Sequence, residues 1–180
     1  MSNLSELLPT GGGQNAVDFV ASGTLSSGQT VILRSDGKVE AVAAVAQGFG
    51  SAVIFESATT TYTATTYDSF NNKVVVAYTD VGNSNYGTAV VGTVSGTTIS
   101  FGTPVVFSSI TSNFISATFD SNVSKVVFVF RYNSASGRAI VGTVSGTSIS
   151  FGSQGIFDFG DVSDTSITFD SSANKVVIAY

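Results

Sequence analysis

Three aspartates stand within seven residues near the end of the chain, at Asp158, Asp161 and Asp164. Carboxylate oxygens are the ligands that Ca²⁺ prefers, but the spacing is not that of an EF-hand loop and no glutamate closes it. Two carboxylates at a suitable separation could instead hydrolyse a glycosidic bond, with Asp161 and Asp164 as the pair. The cluster is therefore a weak calcium candidate, and we expect no metal and no catalytic residue in this chain.

The composition excludes most other chemistry. The 180 residues contain no histidine and no cysteine, which removes thiolate nucleophiles, imidazole bases and nearly every zinc or iron site. A net charge of −5 with only seven basic residues argues against nucleic-acid binding. Met1–Pro9 has no basic residue and no apolar run of signal-peptide length, and no later stretch reaches the length of a membrane-spanning helix. We expect a protein that is not an enzyme, needs no cofactor and does not insert into a membrane.

Two predicted loops carry side chains that are suited to the recognition of polar surfaces. Asn85 and Tyr86 follow the second predicted strand of one repeat, and Tyr132 and Asn133 follow that of the next. A tyrosine ring beside amide groups can bind a carbohydrate, and variable loops on a repeated frame usually hold binding specificity. These four residues are the candidate glycan-binding residues. The alternative is that both loops are merely solvated.

The first residues predict a docking peptide. Leu4, Leu7 and Leu8 share one face of a single helical turn that Pro9 ends. A helix this short is marginal in water by itself, so the leucines are expected to bind a partner as an anchor. A frayed terminus is the alternative. Three consecutive glycines then form a hinge, and the peptide and hinge together cover residues 1–13.

Residues 14–43 predict a small β unit that serves as an anchor. One strand is expected at residues 17–21, and a hairpin joins residues 30–33 to residues 38–42. The hairpin follows from the pair Asp36-Gly37 between two apolar runs, because glycine adopts the positive φ of a tight turn at little cost.

The rest of the chain repeats itself. The run Val91–Thr97 returns almost letter for letter at Val141–Thr147, 141 − 91 = 50 positions on. Asp68 corresponds in the same way to Asp120, 120 − 68 = 52 positions on. A period in this range is typical of a propeller, a solenoid or an array, in which each unit hides its apolar faces against its neighbours.

Each repeat holds four predicted strands that form an antiparallel unit. In the first complete unit these are the run into Tyr67, residues 73–78, residues 88–94 and residues 98–107. The second strand does not alternate apolar with polar residues, which indicates that both of its faces are buried. The predicted fold is therefore all-β, with propeller-like blades over residues 44–180. A β-sandwich array or a β-solenoid is the alternative.

The repeats are predicted to begin and stop inside a unit. Residues 44–55 align with the last strand of a unit, and Tyr180 is the equivalent of Tyr78 and Phe130 at the end of a second strand. A propeller needs about four to eight blades. The chain is thus expected to be the front part of a longer repeat protein, or to be completed by other chains as a homo-oligomer.

Asp68, Asp120 and Asp170 occupy equivalent places in successive units, and a catalytic group is rarely needed three times. They are predicted to form turns by accepting hydrogen bonds from nearby backbone N–H groups. A lysine recurs just past each turn and is predicted either to form a local charge pair or to extend along apolar surface. These lysines are Lys73, Lys125 and Lys175.

Four stretches of the chain carry a resemblance to a known group of proteins. They are Met1–Pro9, Asp18–Val31, Lys73–Tyr78 and Gly87–Thr97. Their sequences resemble those of long repetitive structural proteins of marine tailed bacteriophages, which are tail-fibre-like or lie on the virion surface. The resemblance implies a virion component, assembled in the host cytoplasm, with an N-terminal attachment part and a repetitive part facing outward. No catalytic residue carries over from it.

The expected function is that of a non-enzymatic, tail-fibre-like virion protein. Its N-terminal part would bind a capsid or tail protein, and its β-repeats would project outward and contact host surface polysaccharide during attachment. Two alternatives stay open. One is a head-decoration or spacer protein without a ligand, and the other is a propeller glycoside hydrolase or depolymerase.

Overall fold

The computed structural model describes residues 19–25, 27, 30–41 and 50–180. The chain divides into two compact parts, Met1–Gly48 and Phe49–Tyr180. Across the described residues the regular structure is β throughout, apart from one turn of 3-10 helix at Val81–Asn83. This confirms the predicted all-β class. No helix within these ranges is long and apolar enough to cross a membrane.

The first part contains the predicted hairpin. Strands β1 (Val31–Leu33) and β2 (Val39–Ala41) pair antiparallel, and Gly37 in the turn has a φ of 80°. Glycine takes such a φ without a steric penalty, so the Asp-Gly pair sets the turn as predicted. The predicted strand before the hairpin is reduced to an isolated parallel bridge between Ala21 and Val39, and its first two residues lie outside the described part.

The second part is built from antiparallel strands. They are β3 (Thr60–Asp68), β4 (Lys73–Asp80), β5 (Tyr86–Ser95), β6 (Thr98–Phe101), β7 (Val105–Asp120), β8 (Lys125–Tyr132), β9 (Ser136–Ser145), β10 (Ser148–Phe151), β11 (Gly155–Asp158), β12 (Ser166–Asp170) and β13 (Lys175–Ala179). The long strand β7 joins two groups of strands, because its first half pairs with β5 and its second half with β8.

The same pairing pattern occurs twice and defines two units. The first unit consists of β3, β4, β5 and a fourth strand made of β6 and the first half of β7. The second unit consists of the second half of β7, then β8, β9 and a fourth strand made of β10 and β11. The pair β12–β13 stands apart as a half-unit. Closure of such units into a propeller ring stays a prediction.

Each fourth strand is broken where one continuous strand was predicted. In the first unit the break lies at residues 102–104, and there the N–H of Gly102 donates to the carbonyl of Val91 at 2.9 Å. Pro104 ends this interruption, and proline has no N–H with which to extend a ladder. The prediction of a single strand over residues 98–107 is therefore wrong, although both halves stay beside β5.

The residues before the first unit also differ from the prediction. Residues 50–55, which we call the leading segment, were expected to form the last strand of an incomplete unit but form no strand. They run beside the first unit, where Phe55 packs against the cluster of Val76, Tyr78 and Val90. None of the described strands pairs with them, and a ladder needs a partner strand. Residues 44–49 lie outside the described part.

Each unit has two apolar faces. We call the face towards the preceding residues the leading face; in the first unit it holds Val76, Tyr78 and Val90. The opposite, trailing face of the first unit packs against the second unit, and it holds Val75 and Val91. The prediction that the second strand is buried on both sides is thus confirmed for β4, and β8 is buried in the same way. It is wrong for β13, whose trailing face carries an exposed valine.

A phenylalanine ring from the leading segment or from a fourth strand packs against the unit that follows it. It contacts the aromatic residue at the end of that unit's second strand, with tilted or edge-on rings that are favourable for aromatic pairs. The pairs are Phe55 with Tyr78 at 5.2 Å between centroids, Phe107 with Phe130 at 5.2 Å, and Phe157 with Tyr180 at 5.0 Å. The space for the ring comes from glycine, since a Cβ on Gly137 would lie 2.3 Å from the ring of Phe157. The contact therefore depends on aromatic and glycine residues at fixed spacings.

The equivalent glycines Gly102 and Gly152 provide a matched test of unit stacking. A Cβ on Gly102 would lie 1.9 Å from the carbonyl oxygen of Thr147 in the second unit, whereas on Gly152 the nearest atom would be 3.9 Å away. We predict that Gly102→Ala lowers the free energy of unfolding by about 1–3 kcal/mol, because backbone must move. Gly152→Ala should change it by less than about 0.5 kcal/mol. Urea denaturation of both variants measures the difference, and equal effects would contradict the stacking described.

Candidate functional site

The repeated aspartates form turns, as predicted. Each carboxylate of Asp68, Asp120 and Asp170 accepts hydrogen bonds from the backbone N–H groups two and three residues further on. At Asp170 the hydroxyl of Ser172 also donates, and these bonds hold the pKa of the Asp170 carboxyl below its usual value. All three carboxylates are thus occupied in closing the hairpin between the first two strands of a unit.

The lysines after those turns bind hydroxyl groups. The ammonium of Lys73 donates to the hydroxyl of Thr93 at 2.8 Å, and that of Lys125 donates to Thr143 at 2.8 Å. The predicted local charge pair is therefore wrong for both lysines, because each ammonium group binds a hydroxyl on the adjacent third strand of its own unit. The alternative, that the lysine stems extend along apolar surface, stays a prediction.

The aspartate cluster in the last part of the chain does not assemble as a cation site. Asp158 accepts a hydrogen bond from the N–H of Gly160 at 3.0 Å, and Asp161 pairs with Arg131 at 3.4 Å. No group of three acidic side chains in the described ranges could hold a metal ion. The three aspartates are thus not brought together, because two of them have partners in different directions.

The two candidate loops meet at one edge of the sheet. The carbonyl of Asn85 accepts a hydrogen bond from the N–H of Ser112 at 3.0 Å, and the N–H of Asn133 donates to the carbonyl of Thr111 at 2.9 Å. Both bonds end in the middle of β7, where its partner changes from β5 to β8. The hydroxyl of Thr79 reaches the same place and donates to the carbonyl of Ser112. The tertiary structure therefore gathers loops that are about fifty residues apart.

Two aromatic residues at this edge have an unusual backbone conformation. Tyr62 has a φ of 49° and Phe114 a φ of 50°, and both lie in β-bulges at which the ladder register shifts. A positive φ is a genuine outlier for a bulky residue and costs roughly 1–3 kcal/mol. The bulge at Phe114 turns its carbonyl towards the half-unit, where the hydroxyl of Thr165 donates to it. Bulges re-aim side chains, and here they bring two rings to the edge.

The two rings begin a row of side chains that crosses successive units. The rings of Tyr62 and Phe114 are 4.8 Å apart, and the guanidinium of Arg131 lies 4.4 Å from the centre of the Phe114 ring. Arg131 also pairs with Asp161. Tyr62 and Asp161 are exposed at the two ends of the row. We call these four residues the bulge edge, and it presents an aromatic ring, a cation and a carboxylate from three consecutive parts of the array.

The four candidate glycan-binding residues lie next to the bulge edge but differ in how far their side chains are exposed. Tyr132 is half-buried, and the guanidinium of Arg138 covers its ring at 3.5 Å. Tyr86 is also half-buried, as the first residue of β5, while Asn85 and Asn133 are exposed with positive φ. Glycan binding by these four residues stays a prediction. The predicted anchor residues, Leu4, Leu7 and Leu8, lie outside the described part of the chain.

Sequence reasoning missed Tyr62 and Phe114. A signal was present, because each stands six residues before its turn aspartate: 68 − 62 = 6 and 120 − 114 = 6. In the next repeat the same place is taken by Asp164, since 170 − 164 = 6. The recurrence of an aromatic residue at this position could have been recognised in the sequence, but its positive φ could not.

Comparison with protein-family models, curated proteins and solved structures finds no match for this chain.

A double-mutant cycle tests whether Arg131 is held by the Phe114 ring. We predict a coupling of about 0.5–2 kcal/mol in unfolding free energy between Arg131→Gln and Phe114→Leu, because a partly buried cation over a ring is stabilised by the ring's quadrupole. As a control, Arg131→Gln combined with Phe159→Leu should show no coupling, since Phe159 is largely exposed in a nearby loop. Equal couplings in the two cycles would show that the guanidinium does not depend on the Phe114 ring.

Proposed function

We propose that this chain is a non-enzymatic structural protein of a phage virion. In this proposal the N-terminal part attaches to a capsid or tail protein, and the β-units project outward with the bulge edge as the surface that contacts host glycans. The placement in a virion is supported by the sequence resemblance to repetitive phage structural proteins. The contact surface is supported by the geometry of the edge, which is the single observation that carries it.

The bulge edge suits the recognition of a polar polymer for three reasons. Tyr62, Phe114 and Arg131 stand on the strands β3, β7 and β8, so these side chains are preorganised and little entropy is lost on binding. Tyr62 offers an exposed apolar ring with a hydroxyl, while the nearby Asn85 and Asn133 offer amides. Backbone strain persists at Tyr62 and Phe114, and such strain is concentrated at binding sites.

The carboxylates support a binding role rather than hydrolysis. A glycosidase needs one carboxylic acid and one carboxylate free to face the scissile bond. Asp161, one of the pair considered for hydrolysis, is engaged by Arg131, and Asp158 by the N–H of Gly160. These contacts favour the view that the acidic residues shape loops and the array.

Binding of host surface polysaccharide to the purified protein tests the role of the edge. We predict that Tyr62→Ala weakens this binding at least fivefold, because tyrosine is among the residue types that most often act as energetic hot spots of a binding surface. Phe70→Ala is the matched control and should leave affinity unchanged, since Phe70 is even more exposed than Tyr62 but lies in the β3–β4 turn at the opposite end of the strands. Titration calorimetry measures both. Equal affinities of the two variants would refute the proposed edge, and absence of binding by the wild type would favour a spacer.

Incorporation into particles tests the placement in a virion. We predict that the chain is found in purified phage particles by mass spectrometry and that antibodies against the β-units label intact particles. Deletion of residues 1–13 should remove the protein from particles while leaving its β-units folded, because the leucine face of this segment is the proposed anchor. Normal incorporation of the deleted protein would refute the anchor, and absence of the wild-type chain from particles would refute the virion role.

A further inference from the structure

Arg138 is a positively charged side chain without an acidic partner. Its guanidinium carbon lies 3.5 Å from the centre of the Tyr132 ring, and its Nη1 donates a hydrogen bond to Oε1 of Gln154 at 2.8 Å. No carboxylate in the described ranges forms an ion pair with Arg138, and its Nε is buried without an acceptor among those residues. An unpaired charge that is partly removed from water is costly, so its presence requires a physical reason.

The position of Arg138 is fixed by both units. Arg138 stands on β9, where it pairs in register with Phe130 of β8. Nε2 of Gln154 donates to the carbonyl of Phe107 in the first unit at 3.1 Å. Gln154 thus links Arg138 to the first unit, while the ring of Tyr132 supports it from the second. A guanidinium that is held on two sides loses little conformational entropy when it binds a ligand.

The repeat itself does not require this contact. The corresponding positions of the first unit lie 52 residues earlier for Tyr132 and 50 residues earlier for Arg138 and Gln154. These positions hold Asp80, Thr88 and Pro104, as 132 − 52 = 80, 138 − 50 = 88 and 154 − 50 = 104. They cannot place a cation over a ring, although the first unit has the same strand pairing. Binding therefore explains the three residues of the second unit better than stacking does.

We propose that Arg138 binds an anionic group of the host polysaccharide, so that the ligand of this surface is an acidic sugar polymer. This inference rests on the proposed function and names the class of ligand. A guanidinium presents five N–H donors in a planar fork, and the fork binds a carboxylate or a tetrahedral oxyanion such as sulfate through two parallel hydrogen bonds. The exposed amides of Asn85 and Asn133, on the loops that meet beside β7, offer hydrogen bonds to the hydroxyl groups of the same polymer.

The charges of the chain are compatible with an acidic ligand at this place. Arg131 is already paired with Asp161, so a ligand anion would have to displace that carboxylate, whereas at Arg138 no ion pair has to break. The net charge of −5 repels an acidic polymer at long range. At physiological salt, however, exposed charges more than about 8 Å apart are largely screened. Short-range hydrogen bonds to Arg138 therefore decide the recognition.

Titration calorimetry with polysaccharide extracted from the host surface tests the proposal. Three forms are compared: native polymer, carboxyl-reduced polymer and desulfated polymer. We expect one of the two treatments to weaken wild-type binding by about tenfold, because a hydrogen-bonded charged group is lost, and that treatment identifies the anion. Arg138→Gln should weaken binding of native polymer by the same factor and should bind native and treated polymer alike.

Lys125→Gln is the matched control. It also removes one positive charge from the second unit, but Lys125 begins β8 at the opposite end of the strands and donates to Thr143. It should bind all three forms as wild type does. Arg138→Lys keeps the charge without the planar fork, so its affinity for native polymer should lie between those of wild type and Arg138→Gln. Circular dichroism establishes that each variant is folded, and Arg138→Lys alone carries the comparison if Arg138→Gln is not.

The outcomes separate this inference from the proposed function. Wild-type protein that binds all three forms equally overturns the acidic ligand but leaves glycan contact standing. Native affinity that falls in Tyr62→Ala and not in Arg138→Gln or Arg138→Lys assigns the contact to the bulge edge alone, and it also overturns the inference. Wild-type protein that binds none of the forms overturns both the glycan contact and its acidic ligand.

Discussion

The contact on which the whole array depends is the insertion of one phenylalanine from each fourth strand into the following unit. Phe107 shows the arrangement fully, since its ring contacts Phe128, Phe130 and Phe151 of the second unit. A ring of this size needs space beside the third strand, and Gly87 supplies it: a Cβ there would lie 2.4 Å from the ring. The aromatic residue and the glycine thus depend on each other. Without the ring the glycine leaves a cavity, and a side chain in place of the glycine would clash with the ring.

The insertion of this ring gives the stack of units a direction. Each unit receives the preceding ring on its leading face, and the second unit covers the trailing face of the first, so equivalent valines are buried or exposed according to their neighbours. Val75 and Val177 differ in this way although the sequence around them is nearly the same. The array is therefore stabilised mainly by contacts between nearest neighbours, as is typical of repeat proteins, and its stability should depend on how many faces are covered.

The same directionality creates the bulge edge. The strand β7 must leave the first unit and enter the second, and it changes partner between Thr111 and Ser112. Near this point the bulge at Phe114 turns a ring outwards, where Tyr62 from one side and Arg131 from the other lie against it. A stacking constraint thus shapes the surface, because it places side chains from different units side by side and holds them there.

Much of this architecture is readable from the chain. The fifty-residue period, the Asp turns and the unbroken apolar second strands follow from local physics, since turn chemistry and hydrophobic pattern act over a few residues. The turn role of Asp68 and the two-sided burial of Val75 and Val76 were predicted for that reason. The candidate loops were located in the same way, but which of their tyrosines offers a free ring was not, because Arg138 reaches Tyr132 only in the folded sheet.

Only the tertiary structure determines which residues that are far apart in sequence contact each other. Nothing local requires Lys73 to reach Thr93, the ring of Phe114 to lie between Tyr62 and Arg131, or Val177 to be exposed while Val75 is buried. The positive φ of Tyr62 belongs here too, since a local preference would exclude it and only surrounding packing can hold it. Residue types and spacings determine the unit, because its turns and strands are local. The stacking of units determines the surface, because burial depends on which neighbour is present.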